Sequence, residues 1–359
     1  MSEAPTRIMM VAPHFEEYAL RLSVALAAHA DVLLVLDRSL LDAEFAGRHM
    51  PGAPRLTIRD NRFRSPAELA RLTADLLRFR PQVLHWQEPS GFIKAGMAAA
   101  TVTLAKPFAR TAITIHDPVP HAGRDSRVAA RLAPLRRYAR ARADRLFLHG
   151  PACAEQYRRD YLGGRNDPRV RLTEHGVLLA AEPPVARPET FHAVMVGRME
   201  AYKGLAVLAD ALALLDRPQS VEIAGGGPEL ERLSARLGAL PRVKVTNGYL
   251  PATGMIARIA AAEAVLLPYT EASQSGVLAA AFANGRFVIA SAVGGIADVV
   301  EDGVNGLLVP PGDPVALAAA ITRAASDPAL RDRLCAGARR TAAERLDWPA
   351  IVERLLRDY

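Results

Sequence analysis

Short apolar runs alternate with amphipathic stretches along the whole chain, and this alternation restricts it to folds of parallel strands joined by helices. Residues 8–12 predict a first strand, 18–30 a helix and 32–36 a second strand. Residues 66–80 read as a helix, 82–85 as a strand after Pro81, and 111–116 and 145–149 as two further strands. Residues 180–190, AAEPPVARPET, hold three prolines with no periodicity and predict a linker. Beyond it the pattern restarts. Strands are expected at 191–196, 220–224, 243–246, 264–267 and 287–290, with helices at 205–215, 316–325, 328–344 and 348–359. The expectation is two doubly wound α/β halves facing across a cleft, with ligands at the carboxyl ends of the strands.

At 359 residues, half apolar and 23% charged, the chain has material for two globular cores. Cys153 and Cys335 stand far apart, which indicates neither a disulfide framework nor a cysteine zinc site. The apolar run at 8–12 is too short for a signal peptide, and the longest run, 95–105, stops at Lys106 short of a membrane span. A cytoplasmic-type soluble protein is expected. The net charge of +7 fits nucleic acid, an anionic membrane or phosphorylated ligands. Aromatic residues at 6% disfavour a single-strand binder that stacks bases.

Three segments carry chemistry. Gly197-Arg198-Met199-Glu200-Ala201-Tyr202-Lys203-Gly204 follows a strand and opens a helix, so Arg198 and Lys203 join free helix-start amides in a site suited to a diphosphate. From the spacing alone, a helix cap with solvated basic residues is the favoured reading of the same segment. Gly225-Gly226-Gly227-Pro228-Glu229 sits on another strand-to-helix junction, where glycines admit a phosphate, a nucleobase or simply a tight turn. It fails the dinucleotide fingerprint, because Leu230 stands where the last glycine belongs, and this disfavours a nicotinamide dehydrogenase. The third segment, Pro268 through Glu271, Ser273, Ser275, Gly276, Val277 and Leu278, offers small polar residues before a helix, for phosphate and sugar hydroxyls or as a plain loop at the sheet edge.

In this order the three segments resemble the C-terminal half of glycosyltransferase family 4, the retaining GT-B enzymes, over residues 194–314. The resemblance implies a GT-B fold: Rossmann-like domains at 1–180, taking the acceptor, and 181–345, taking the nucleotide-sugar, with 346–359 a helix returning to the first. The family's basic pair on the donor diphosphate corresponds to Arg198 and Lys203. Its donor-side glycines correspond to Gly197 and Gly225 to Gly227, and its helix-start loop to Ser273 through Leu278. The family's paired glutamates fall on Ala272 and Ala280, leaving Glu271 as the nearest carboxylate for the ribose.

In the N-terminal half, His116 and Asp117 end a strand where family members place a histidine near the donor sugar; a structural histidine is the alternative. His85, ending the preceding strand, and His14, in the Pro13–Tyr18 segment that replaces a glycine-rich loop, are expected on the acceptor side. Residues 124–145 carry arginines including Arg124, Arg127, Arg131, Arg136 and Arg140 around an apolar stripe, which reads as an anionic-membrane contact or a solvated arginine face. No D-x-D sequence occurs, and neither a metal nor a cofactor is expected.

The resemblance thus implies transfer of a sugar, with retention, from a nucleotide-diphosphate donor of the UDP or GDP type to a sugar or lipid-linked sugar acceptor. Bacterial polysaccharide or glycoconjugate synthesis is the expected setting, in the cytoplasm or on the inner face of the membrane. His116, Arg198 and Lys203 are the catalytic candidates, and nucleic acid is not an expected partner. A pseudoenzyme that binds nucleotide or sugar as a scaffold is the competing expectation, raised by Ala280.

Overall fold

The computed structural model describes residues 5–118, 125–181, 185, 186, 188 and 190–359, and the side chains of residues 125–133 fall outside the description. The chain forms two compact units, one of the residues up to Glu174 together with Trp348–Tyr359, the other His175–Asp347. The sequence expectation set these boundaries at 180/181 and 345/346.

The first unit is built on a parallel sheet of seven strands: β1 (Arg7–Ala12), β2 (Asp31–Leu36), β3 (Leu56–Asp60), β4 (Val83–Gln87), β5 (Arg110–Ile115), β6 (Arg145–His149) and β7 (Val170–Thr173). Their spatial order is β3-β2-β1-β4-β5-β6-β7, and Met9 pairs with Leu33 on one side and Leu84 on the other. Ile8 to Ala12 are wholly buried, as expected of a central parallel strand covered on both faces. The sequence reading passed over β3 and β7. Both are edge strands, LTIRD and VRLT, half exposed and too polar to read as buried runs.

Helix Pro66–Phe79 starts where the spacing placed it, because Ser65 accepts from the Glu68 amide and Pro66 occupies the first turn. The final helix, Trp348–Asp358, is part of the first unit. Trp348 meets Tyr18 edge-on at 5.1 Å, and Arg145 Nε donates to the Asp358 carbonyl at 2.8 Å.

The second unit is a parallel sheet of six strands: β8 (His192–Val196), β9 (Ser220–Gly225), β10 (Val243–Asn247), β11 (Ala264–Leu267), β12 (Phe287–Ser291) and β13 (Gly306–Val309), in the order β10-β9-β8-β11-β12-β13. Apolar clusters cover its two faces, one around Met195, Leu208, Ile223 and Ile289, the other around Val194, Leu267, Phe282 and Val288. Buried Arg286 donates to the carbonyls of Ala260, Val185 and Ala186, fixing the described part of the expected linker to this unit. Within each unit, the loops that follow the strands gather the polar residues of interest at one sheet edge.

Candidate functional site

In the second unit, the loop after β8 leads through a short turn, Ala201–Lys203, into helix Leu205–Ala213. Lys203 is only 7% exposed. Its ammonium would lie 3.1 Å from a Cβ built on Gly197, so glycine there keeps open the space around the charge. It pairs with no carboxylate within 4 Å among the described residues; its ammonium lies over the face of the neutral Tyr269 ring, 5.4 Å from the centroid. Burial lowers the Lys203 pKa, against weaker support for the charged form from Tyr202 and Glu200. A buried cation so placed is poised for an anion.

Tyr269 links this lysine to the third segment. Burial pushes its hydroxyl pKa up to about 12, and that hydroxyl hydrogen-bonds with Ser275. Ser275 in turn caps helix Gly276–Ala283, accepting from the Leu278 amide at 3.2 Å. The amides of Gly276 and Val277 open the first turn, where a helix has no internal acceptor for them. One buried ring thus joins a buried ammonium to a helix N-terminus, and both attract negative charge. Val277 and Leu278 bury their side chains in the core, so only their backbones are available to a ligand. The Ser273 carbonyl lies against Gly295, 2.2 Å from where a Cβ there would fall, and Glu271 is exposed. The Gln274 side-chain oxygen is buried without a hydrogen-bond partner among the described residues. Ala280 is wholly buried in the same helix.

Arg198 and the glycine run have surroundings unlike those of Lys203. Arg198 belongs to the same motif as Lys203, but its side chain is 81% exposed and pairs with Glu200 at 2.6 Å. The glycine run packs against the chain's own backbone. A Cβ on Gly225 (φ 151°) would fall 1.9 Å from the Gly197 carbonyl oxygen, and one on Gly227 (φ 138°) 2.6 Å from that of Met199. The Met199 amide donates to the Gly226 carbonyl at 2.8 Å, and the Met199 carbonyl takes the Glu229 amide at the helix start. The Met199 and Glu229 amides are thereby engaged. A residue missed by the sequence reading lies next to this interlock: Tyr249, 92% exposed, follows Gly248, whose amide donates to the Gly225 carbonyl. An aromatic residue directly after a glycine that closes a strand was its only signal.

In the first unit, β4 runs on to Gln87, so His85 sits inside the strand and not at its end. It is wholly buried, with Nε2 2.7 Å from the Thr114 hydroxyl and Nδ1 2.5 Å from the Tyr359 hydroxyl. Burial lowers its pKa to about 3. With both nitrogens engaged inside the protein, His85 is a core residue and not an acceptor contact. His116 does lie just past the end of β5, and half-buried Asp117 follows it. His116 Nε2 is 2.8 Å from the Gln87 side-chain oxygen, which holds the proton there, and Nδ1 faces His149 Nε2 at 3.2 Å. Phe15 stacks over the His116 ring at 3.9 Å, so a sugar reaching that ring must displace Phe15.

His14 Nε2 lies 2.6 Å from the Ser90 hydroxyl and 3.0 Å from its carbonyl oxygen, and burial lowers its pKa. The basic stretch also needs revision. Arg140 is buried in a two-pronged pair with Glu88, at 2.6 and 2.7 Å, and stacks 4.3 Å over Tyr161, so it cannot face a membrane. Arg136 donates to the Pro89 carbonyl. Arg124 and the side chains of Arg127 and Arg131 lie outside the described residues. No helix among the described residues is long and apolar enough to cross a membrane.

Residues 15–177 match the family described as Glycosyltransferase Family 4, and residues 190–327 the family described as Glycosyl transferases group 1. A D-inositol 3-phosphate glycosyltransferase of Thermomonospora curvata is 34% identical over 181 residues, covering 46% of this chain and 42% of its own. The lipopolysaccharide core biosynthesis glycosyltransferase LpsD of Rhizobium meliloti is 34% identical over 183 residues, 48% of this chain and 52% of its own. The chain thus spans about half the length of the curated relatives it matches. Over 98% of both chains, the structure superposes on sucrose-phosphate synthase from Thermosynechococcus elongatus with a TM-score of 0.75 at 20% identity. It superposes on HepE of Anabaena, solved in complex with UDP, with a TM-score of 0.70 at 20% identity, over 98% of this chain and 99% of that one. The fold is GT-B.

Proposed function

From the glycosyltransferase family models that match both halves of the chain, we propose transfer of a sugar from a nucleoside-diphosphate donor, of the UDP or GDP type, to an acceptor hydroxyl with retention. The observation that carries this reading is buried, carboxylate-free Lys203, joined through Tyr269 to the open start of helix Gly276–Ala283. A leaving diphosphate develops negative charge as the glycosidic bond to phosphate breaks. A fixed ammonium and two fixed amides stabilise that charge without reorganising. Exposed Tyr249 offers a stacking face for the base, and the partnerless Gln274 oxygen an acceptor for a hydroxyl of ribose or sugar. HepE, of the same fold, was solved with UDP-glucose, which supports the choice of ligand class.

Polysaccharide or glycoconjugate synthesis is the setting that fits such a transferase, and LpsD acts in one. A lipid-linked acceptor on an anionic surface is supported by exposed Arg137 and Arg142. Flotation with anionic vesicles that survives charge reversal at both would remove that part. The scaffold reading is favoured by one observation, the buried alanine at 280 in the place of the family glutamate. A panel of UDP-, GDP- and ADP-sugars, followed by nucleoside-diphosphate release, separates the two. Turnover with one donor, lost in Lys203→Met, supports the transferase; binding without turnover supports the scaffold.

A further inference from the structure

The segment that opens the second unit, residues 175–181, is tied to both ends of helix Gly276–Ala283. Past the last turn of that helix, Asn284 accepts from the Ala181 amide at 2.9 Å and donates to the Leu179 carbonyl at 3.1 Å. Val177 and Leu179 pack on the apolar cluster around Phe282, and the Val177 amide donates to the Leu346 carbonyl at 3.2 Å. These contacts fix the half-buried ring of His175 at the other end, the helix start. A Cβ built on Gly276 would lie 3.6 Å from His175 Cε1 and, beyond its chain neighbours and its own helix, within 4 Å of no other described residue. Gly276 has ordinary helical backbone, so its missing side chain matters for room and not for conformational freedom. Helical Cα–Cβ bonds tilt toward the N-terminus, so the room lies in front of the open amides, and His175 bounds it.

We propose that His175 is a further contact of this anion site, its Nε2 donating as imidazolium to an oxygen of the nucleoside diphosphate. The inference rests on the donor reading above and deepens it by adding a residue that neither the spacing of the motifs nor the lysine reveals. Nδ1 lies 3.0 Å from the Gly176 carbonyl, which can only accept, so that nitrogen carries a proton. In the neutral ring Nε2 is then a lone pair and repels a phosphate oxygen. One proton taken from solvent turns Nε2 into a donor and leaves the bond to Gly176 in place. Lys203, 7% exposed, is the fixed cation of the same site and disfavours a second positive charge there until an anion arrives. A diphosphate carries enough charge for both. Its oxygens then meet an ammonium, two helix-start amides and an imidazolium, each a donor to negative charge.

The test follows the His175 Cε1 proton of the full chain by NMR, assigned through the backbone, while UDP, GDP, ADP, inorganic pyrophosphate and uridine are added at slightly alkaline pH. The signal is expected to move downfield to the imidazolium position with the nucleotide that binds and with pyrophosphate, and to stay in place with uridine. A ring that only packs against the helix would not make that move. Calorimetry is expected to show the same nucleotide bound about tenfold or more weakly by His175→Phe and His175→Ala, through loss of one charge-assisted hydrogen bond. If neither variant folds, the wild-type signal carries the test. Two results overturn the inference and leave the donor reading standing. One is a nucleoside diphosphate bound in a Lys203-dependent manner with the His175 signal unmoved; the other is equal binding by the folded His175 variants. Wild-type protein that binds none of the nucleotides and no pyrophosphate removes the donor reading and this inference with it.

Discussion

Replacing Lys203 with methionine should leave the second unit no less stable while it disables the anion site. The side chain is 7% exposed, and methionine fills nearly the same volume, so packing changes little. What the variant removes is a buried charge. The Lys203 pKa lies below its ordinary value through burial, so at neutral pH the folded state holds an ammonium that its surroundings disfavour. The contact over the Tyr269 ring opposes this by about 0.5–1 kcal/mol. The net expectation is a variant that melts no lower than the wild type. The sign has a pH signature. The folded pKa is depressed, so the wild type's deficit is full below that pKa and disappears as pH rises toward 10.5, and the two melting curves should converge there. A charge-assisted contact to diphosphate is worth about 1.5–3 kcal/mol, so UDP affinity should fall roughly 10- to 150-fold. Thermal melts with and without UDP read both effects in one experiment. A variant that melts lower than the wild type and binds UDP equally well would refute the reasoning.

Other substitutions probe the parts separately. Gly225→Ala places a Cβ 1.9 Å from the Gly197 carbonyl at φ 151°, and should cost about 3 kcal/mol or more in urea denaturation. Tyr249→Ala should leave stability within about 0.5 kcal/mol, since the side chain is 92% exposed, but weaken nucleotide binding by about 1–3 kcal/mol in titration. His85 holds its neutral form down to pH about 3, whereas the unfolded chain takes up the proton near 6.5. Its contribution should therefore fall as pH drops through that window, by at most about 1.4 kcal/mol per pH unit, and denaturation curves of His85→Gln should lack that part of the slope.

The central strands were legible because parallel strands buried on both faces read as continuous apolar runs; β1, β6 and β11 are instances. Edge strands β3 and β7 carry charged residues on their open sides, and no run survives to be read. Within the site, the spacing that singled out Lys203 also singled out Arg198, and spacing does not say which of the two the turn buries. The glycines announced a close approach but not its object, which proved to be the neighbouring loop. His85 illustrates the reverse error. Gln87, a polar residue, continues β4, so the strand was read as ending at His85, two residues before its end. Phe15 gave no signal at all, because its left-handed backbone is imposed by the structure around it.

Calorimetric titration of UDP, GDP and ADP into the wild type and into Lys203→Met tests the central claim most directly. The account predicts that one of the three binds with a single site per chain, and that the variant, folded and no less stable, binds it at least tenfold more weakly. Folded wild-type protein that binds none of the three, or binds one with an affinity indifferent to Lys203, would contradict it.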